Sequence, residues 1–376
     1  MSIKDLIIIL VASFSILSCN YAGKKKSALE STRRTEIRHA RGFTIHYFEN
    51  YTEVTVRNPW DTTRVLENYI LVDRKIKLPD HLPEGIIVRT PINKVAVCTG
   101  VYAGIWRSLG KMNSIVAVCE PQYIELPEVK RGVADGKIID LGLATAIDLE
   151  KLIAVSPDIL IISPFENTTY GRLEKTGIPV VEDASYMEDS PLGRAEWIKF
   201  EAVFAGEDEL AEEIFSKIET KYRSLCAMVA KTKERPTVFA EKKYSQVWYV
   251  PGGNSYVGRF FNDAGANYLW RNLPQSGSVP LSFETVFDKA EKAQFWLIKY
   301  NNANADLTYS DLKSEYELYA NFDAFKQKRI FGLNSGKTSY YEVGPMEPDV
   351  ILADLVHVFH PELLPNYVPK YYFSLK

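Results

Sequence analysis

Cysteine is scarce in this chain. Four cysteines stand among 376 residues and no two form a C-x-x-C pair, which excludes a disulfide framework. Histidine is scarce too: with five residues, the chain lacks the histidine-rich pattern of a zinc carrier. Two of the five form His357-x-x-His360, one helical turn apart near Asp354, and histidines at a helix end commonly serve structure. No metal ligands are therefore assigned. Strong charge of one sign is also missing. The net charge is −3 and no basic domain stands out, which argues against nucleic acid as a partner. After the first 17 residues no run approaches the ~20 apolar residues of a membrane-spanning helix. Catalytic signatures are absent as well. Gly332-Leu-Asn-Ser-Gly-Lys-Thr338 has three residues between its glycines where a phosphate loop has four. Gly253-Asn-Ser-Tyr-Val lacks the second glycine of a nucleophile elbow. No paired carboxylates suggest acid–base chemistry. The chain is not expected to be an enzyme, and no catalytic residue or cofactor is assigned.

What is present begins at the N-terminus. Lys4 supplies positive charge, and Leu6 to Leu17 is almost wholly apolar. That length suits a secretory signal and is too short to span as a helix. The run ends in Ile16-Leu17-Ser18-Cys19, which resembles a bacterial lipobox. Residues 1–18 read as a signal peptide, Cys19 as the lipidated residue, and 19–41 as a tether. The expected location is outside the cytoplasm, held to a membrane by the lipid on Cys19 and facing the periplasm. The remainder has globular composition, 46% hydrophobic and 25% charged. Its 22 tyrosines and 6 tryptophans are many; most read as ordinary core, and any surplus suits the walls of a cleft.

Residues 42–90 read as short strands. Phe43–Phe48 and Tyr51–Val56 alternate around a turn at Asn50, which predicts a hairpin. From residue 94 the pattern becomes strand–helix–strand, with strands apolar on both faces, as in a covered parallel sheet. Residues 191–232 read as helical, with a long piece over 208–232 carrying apolar residues at Leu210, Ile214, Ile218, Tyr222 and Leu225. After Pro236 the alternation restarts. The fold class is α/β: two Rossmann-like lobes joined by one long helix, with a β-rich N-terminal segment. The divisions are 42–190 for the N-terminal lobe, 191–235 for the linker, 236–345 for the C-terminal lobe, and 346–376 for a C-terminal helix and tail. Cys98 and Cys119 each close an apolar run. If those strands are parallel neighbours the thiols approach, either as two buried thiols or as a disulfide.

Several stretches resemble the extracytoplasmic solute-binding proteins of ABC importers for ferric siderophores, haem and cobalamin. They are Pro91-Ile-Asn-Lys-Val-Ala-Val, Asp148-Leu-Glu-Lys-Leu-Ile-Ala-Val-Ser-Pro-Asp-Ile-Leu-Ile, Pro191-Leu-Gly-Arg-Ala-Glu-Trp-Ile-Lys-Phe, and Tyr340-Tyr-Glu-Val-Gly-Pro-Met-Glu-Pro-Asp with His360-Pro-Glu-Leu363. The resemblance covers roughly residues 42–365. It implies a metal chelate as the ligand, a binding cleft between two lobes, a rigid helical linker, and an importer permease as partner to a monomer. It also implies docking through one acidic residue on each lobe. On lobe one that position matches Glu150. On lobe two it falls in Gly258–Gly265, where Asn262 stands in place of the usual glutamate and Asp263 lies beside it. A two-lobed sensor or interaction lipoprotein without an importer is the alternative reading.

Open α/β sheets bind ligands beyond the carboxyl ends of their strands. That rule selects Thr99, Tyr102 and Trp106 after the first strand of lobe one, and Phe165 and Glu166 after 158–162. In lobe two it selects Trp248, Tyr249 and Tyr256 around Gly252-Gly253, Tyr300 and Asn301 after 295–298, and Tyr340 and Tyr341 after 329–332.

Overall fold

The computed structural model describes residues 33–376. The signal segment, Cys19 and the start of the tether lie outside the described residues. The predicted hairpin is present. Strands Phe43–Tyr47 and Thr52–Arg57 pair antiparallel with Phe43 opposite Val56 and His46 opposite Glu53. They belong to a five-stranded sheet in spatial order Arg33–Arg34, Phe43–Tyr47, Thr52–Arg57, Val65–Asp73, Ile86–Thr90, whose last pair alone is parallel. Alternation puts Phe43, Ile45, Val54, Val56, Tyr69 and Leu71 on the buried face.

Lobe one follows as an all-parallel sheet in the order Val180–Glu182, Ile159–Ile162, Val95–Val97, Ile115–Val118, Ile139–Asp140. Strands Val95–Val97 and Ile159–Ile162 are buried at every position, which explains why they carry no polar residue. Lobe two repeats the plan with Asn267–Tyr268, Thr237–Ala240, Phe295–Tyr300, Ile330–Asn334 and Tyr372–Ser374. Its last strand is antiparallel and comes from the C-terminal tail.

Three helices join the lobes: Pro191–Glu196, Ile198–Ala205 and Asp208–Val229. Every residue of Ile198–Ala205 is buried. A helix buried around its whole circumference, Lys199 and Glu201 included, needs cover on all sides, and here the N-terminal sheet supplies one of them. Phe43 packs against Trp197 at a centroid distance of 4.8 Å, and Tyr69 against Phe204 at 5.6 Å. The β-rich start is thus a further layer on lobe one. The long helix covers about 33 Å at 1.5 Å per residue. Its stripe changes allegiance along the way. Ala211 and Phe215 belong to the lobe-one core, whereas Ile218, Tyr222 and Val229 belong to the lobe-two core.

Two sequence expectations need correction. Residues 33–41, assigned to the tether, are part of the fold. The buried Glu196 carboxylate accepts the backbone N–H groups of Arg38, His39 and Ala40 at 3.0, 2.6 and 2.9 Å, and the Lys199 ammonium at 3.0 Å. Glu188 takes the N–H groups of Arg41 and Gly42 at 2.7 and 2.9 Å. These acceptors lie about 150 residues downstream, and no local pattern marks them. The second correction concerns residues 340–345, assigned to the C-terminal lobe, and Met346, assigned to the C-terminal helix and tail. This segment returns to lobe one, where Val343 and Met346 join the core. Gly104 makes the return possible. A Cβ there would lie 2.1 Å from the Glu342 carbonyl oxygen, so only glycine lets the two backbones meet. The Glu342 carboxylate also accepts the N–H of Glu125 at 2.6 Å. Helix Pro348–Phe359 then packs along Asp208–Val229.

Candidate ligand-binding site

Each lobe carries a cavity at the carboxyl edge of its parallel sheet, as the strand-end rule requires. The lobe-two cavity holds about 590 Å³. Glu241 and Lys299 reach it from the ends of strands Thr237–Ala240 and Phe295–Tyr300, and Tyr340 and Tyr341 from the helix after Ile330–Asn334. Tyr256 opens helix Tyr256–Asp263, whose N-cap Ser255 accepts the N–H of Gly258 at 3.0 Å. Gly252 and Gly253 allow this placement, because a Cβ on either would sit 2.1 Å from the carbonyl oxygen of Gln275 or Arg271. Arg194 enters from the linker and completes the wall.

The cavity is cationic. Lys242 is held by Glu315 at 2.5 Å, and the Lys243 ammonium sits 3.8 Å over the Tyr316 ring. Arg194 and Lys299 are less engaged. Arg194 lies 5.2 Å over the Tyr256 ring, and Lys299 lies 5.7 Å from the Tyr341 ring and 6.0 Å from Tyr340. The Tyr256 hydroxyl is buried with no hydrogen-bond partner. Burial pushes the Tyr256 and Tyr340 hydroxyls above the ordinary phenol range, so both face the cavity as neutral donors. Desolvation also pushes the Glu241 carboxyl up, and Lys299 partly opposes that shift. Glu241 holds a left-handed backbone, φ +66°, a conformation uncommon outside glycine. Its backbone is fixed there: its N–H donates to Leu297 O at 2.8 Å, and its carbonyl accepts the Trp296 indole N–H at 2.7 Å. Two cations, two phenols and an exposed tyrosine edge present positive charge, hydrogen-bond donors and flat aromatic surface to the cavity.

The lobe-one cavity, about 680 Å³, is more apolar. Cys98, Thr99, Ile162, Phe165, Tyr170 and Leu173 line it. Phe165 is 60% exposed, and the Thr99 hydroxyl is unpartnered.

A sequence model of the periplasmic binding protein family matches residues 95–336. The chain belongs to that family. An uncharacterised lipoprotein of Methanocaldococcus jannaschii is 27% identical over 317 residues, 80% of this chain and 72% of that protein. A second lipoprotein of the same organism is 24% identical over 360 residues, 90% and 87% of the two chains. The fold is shared with a periplasmic heme binding protein from Pseudomonas aeruginosa (TM-score 0.55, 20% identity, 72% of this chain and 93% of that one). It is also shared with Helicobacter pylori CeuE with Ni(II) bound (TM-score 0.58, 16% identity, 78% and 92%). No helix among the described residues is long and apolar enough to cross a membrane.

Of the predicted site residues, Tyr249, Tyr256, Tyr340 and Tyr341 line the lobe-two cavity, and Thr99 and Phe165 line that of lobe one. The rest lie elsewhere. Tyr102 and Trp106 occupy the inner face of helix Gly100–Ser108, one turn apart, and are buried. Tyr102 donates to the Asp183 carbonyl at 3.0 Å and pairs with the Ser163 hydroxyl at 2.6 Å. Trp248 points into the core and donates to Ala240 O at 3.0 Å, because strand alternation turns Tyr249 outward instead. The Tyr300 hydroxyl accepts the N–H of Leu307 at 3.1 Å, away from the cavity. Asn301 and Glu166 are exposed outside both cavities. Arg194, Glu241 and Lys299 were missed because the selection favoured aromatic residues over charged ones. Glu241 and Lys299 stand beside strand ends, so the same rule applied to charge would have found them.

Glu150 is exposed in the first turn of helix Leu149–Val155, which Asp148 caps by accepting the N–H of Lys151 at 3.0 Å. Asp263 is not presented in the same way. Its carboxylate accepts the Tyr222 hydroxyl at 2.7 Å and is thereby tied to the long helix, leaving Asn262 as the exposed residue. Cys98 and Cys119 directly follow the adjacent parallel strands Val95–Val97 and Ile115–Val118, as free buried thiols 3.6 Å apart. His357 meets the Leu364 carbonyl at 3.1 Å. Asp354 is occupied by the C-terminal tail, accepting the Tyr367 hydroxyl and the N–H groups of Lys370, Tyr371 and Tyr372.

Proposed function

We propose that this protein captures an anionic metal chelate outside the cell membrane and delivers it to an ABC importer permease, with the lipid on Cys19 holding it nearby. The observation that carries this reading is the lobe-two cavity. Arg194 and Lys299 bring positive charge to a site that also offers neutral phenol donors and flat aromatic surface. A ferric siderophore or haem has that complement: acidic oxygens at an edge and an extended face. Cobalamin, rimmed by neutral amides, fits the charge less well. The apolar lobe-one cavity, with Phe165 exposed at its mouth, would receive the non-polar side of the same ligand. No step of bond making is required of any residue in this scheme.

Titration of the purified protein by fluorescence quenching against haemin, cobalamin and several ferric siderophores tests the proposal. Micromolar or tighter binding of an anionic chelate is expected. Silence across the whole panel would sink the chelate reading. Docking is tested separately: Glu150→Ala should leave ligand binding intact and slow uptake in cells, and unchanged uptake would remove Glu150 from that role.

A second reading has one observation in its favour. Asp263 is locked to Tyr222, and Asn262 offers no charge, so lobe two lacks a free acidic contact at that position. A sensor or interaction lipoprotein would not need one. A permease encoded beside this gene, co-purifying with the protein, would decide against it.

A further inference from the structure

The N-terminal sheet lies before the family match, which starts at residue 95, so whatever it does is additional to the two lobes. It carries a groove of about 760 Å³ lined by residues 34–37, 40, 41, 43 and 44 with Arg57 and Thr62. Three arginines line it: Arg34, Arg41 and Arg57. All are exposed, and no ion pair or side-chain hydrogen bond engages their guanidinium groups among the described residues. The acid in the groove, Glu36, is turned to Arg38 at 3.6 Å. Arg38 itself is held by Glu212 and Glu219, both at 3.1 Å. The folded cluster therefore uses its own acids elsewhere and leaves three cations to solvent.

The chain leading into this groove is basic as well. Residues 20–41 hold Lys24, Lys25, Lys26, Arg33, Arg34, Arg38 and Arg41 against Glu30 and Glu36, a net +5 in a chain whose total is −3. The molecule is thus polarised, with its positive end next to the proposed anchor. Even fully extended, the 15 residues from Cys19 to Arg34 reach no further than about 50 Å at ~3.4 Å each. Glu196 on the first linker helix and Glu188 just before it clamp residues 38–42, so the groove is joined to the body of the fold.

We infer that the Arg34–Arg41–Arg57 groove rests on anionic lipid headgroups of the membrane that carries the anchor. Planar guanidinium groups bind phosphate oxygens in pairs, and basic residues next to a membrane anchor are drawn to an anionic surface. The contact would fix how the two lobes are presented, which a lipid on Cys19 alone cannot do. The choice of a lipid surface rests on the lipidation of Cys19, and the test keeps the two apart.

The mature chain, residues 19–376 with Cys19→Ser, carries no lipid and is sedimented with vesicles in 0.1 M salt. Vesicles with 30% anionic lipid should retain it and neutral vesicles should not. Replacing all three arginines by glutamine should weaken binding on the order of a hundredfold, about fivefold per side chain. Replacing the exposed Lys231, Lys233 and Lys292 by glutamine removes the same charge and should change little. Equal weakening by both triple variants, or no binding by the parent chain, would overturn the inference. Displacement by millimolar inorganic phosphate would overturn it too, by making the groove a site for small anions. A melting temperature matching the parent's shows that the arginine variant is folded. Anchoring is read independently, by whether Cys19→Ser releases the protein from the membrane fraction of cells.

Discussion

Lys299→Gln isolates the charge on which ligand capture is argued to depend. The ammonium lies within 6.0 Å of the rings of Tyr340 and Tyr341 and beside Glu241. A hydrogen bond to a charged group contributes about 1.5–3 kcal/mol. Lys299 is half-exposed, so solvent screening reduces that figure to about 1–2 kcal/mol. Affinity for an anionic chelate should fall by about 5- to 30-fold. Two effects oppose each other in the variant. The ligand loses a partner, but Glu241 also loses the cation that favours its charged form, and it takes up a proton more readily. A neutral Glu241 repels an anion less, so the observed loss should sit toward the lower end. Calorimetric titration at 0.05 and 0.5 M salt provides the assay. The difference between parent and variant should shrink at high salt, where the Debye length falls to about 4 Å. Lys299→Arg should recover most of the affinity, and a neutral chelate should bind parent and variant alike. Equal affinity of both proteins for the anionic chelate at low salt would refute the argument.

Glu201→Gln should make stability less sensitive to alkali. Burial pushes the Glu201 carboxyl well up, with Asp183 adding to the shift, and Asp183 is raised by burial too. Acids raised in the folded state contribute stability below their unfolded values and lose it as pH rises through the folded ones. The variant's melting temperature relative to the parent should therefore climb from pH 4 to pH 8, and a constant difference would contradict this. Glu196→Ala should cost about 3–5 kcal/mol, since it strips a partner from buried Lys199 and three N–H groups of residues 38–40. Hydrogen exchange should then accelerate at those three amides, and unchanged protection would show that other contacts hold the strap. Gly104→Ala should destabilise by about 1–3 kcal/mol by driving a methyl into the Glu342 backbone. A parental melting temperature for this variant would mean that the return segment can shift aside.

Much of the fold was legible because its signals are local. The apolar strands Val95–Val97 and Ile159–Ile162 announce two-sided burial, and the stripe on Asp208–Val229 announces a long packed helix. The strap at residues 33–42 and the return of Val343 and Met346 to lobe one were not legible. Their partners stand far off in sequence, and a buried carboxylate waiting for backbone N–H groups looks like any other glutamate. The site was legible in part. Strand ends pointed to the edge of each sheet where a cavity lies, and Tyr256, Tyr340 and Thr99 line those cavities. Tyr102, Trp106 and Trp248 were misassigned by proximity in sequence. Helical and strand periodicity turn those three inward, and a rule about loops does not see it.

The stripe that passes from one core to the other along Asp208–Val229 also governs how the protein comes apart. Ile214 packs against both cores. Melting lobe one strips Ala211 and Phe215 of cover, and the same rigid rod presents Ile218 and Tyr222 to lobe two. Heat should therefore dissolve both lobes in a single calorimetric transition, and neither lobe expressed alone would keep its share of that helix out of water.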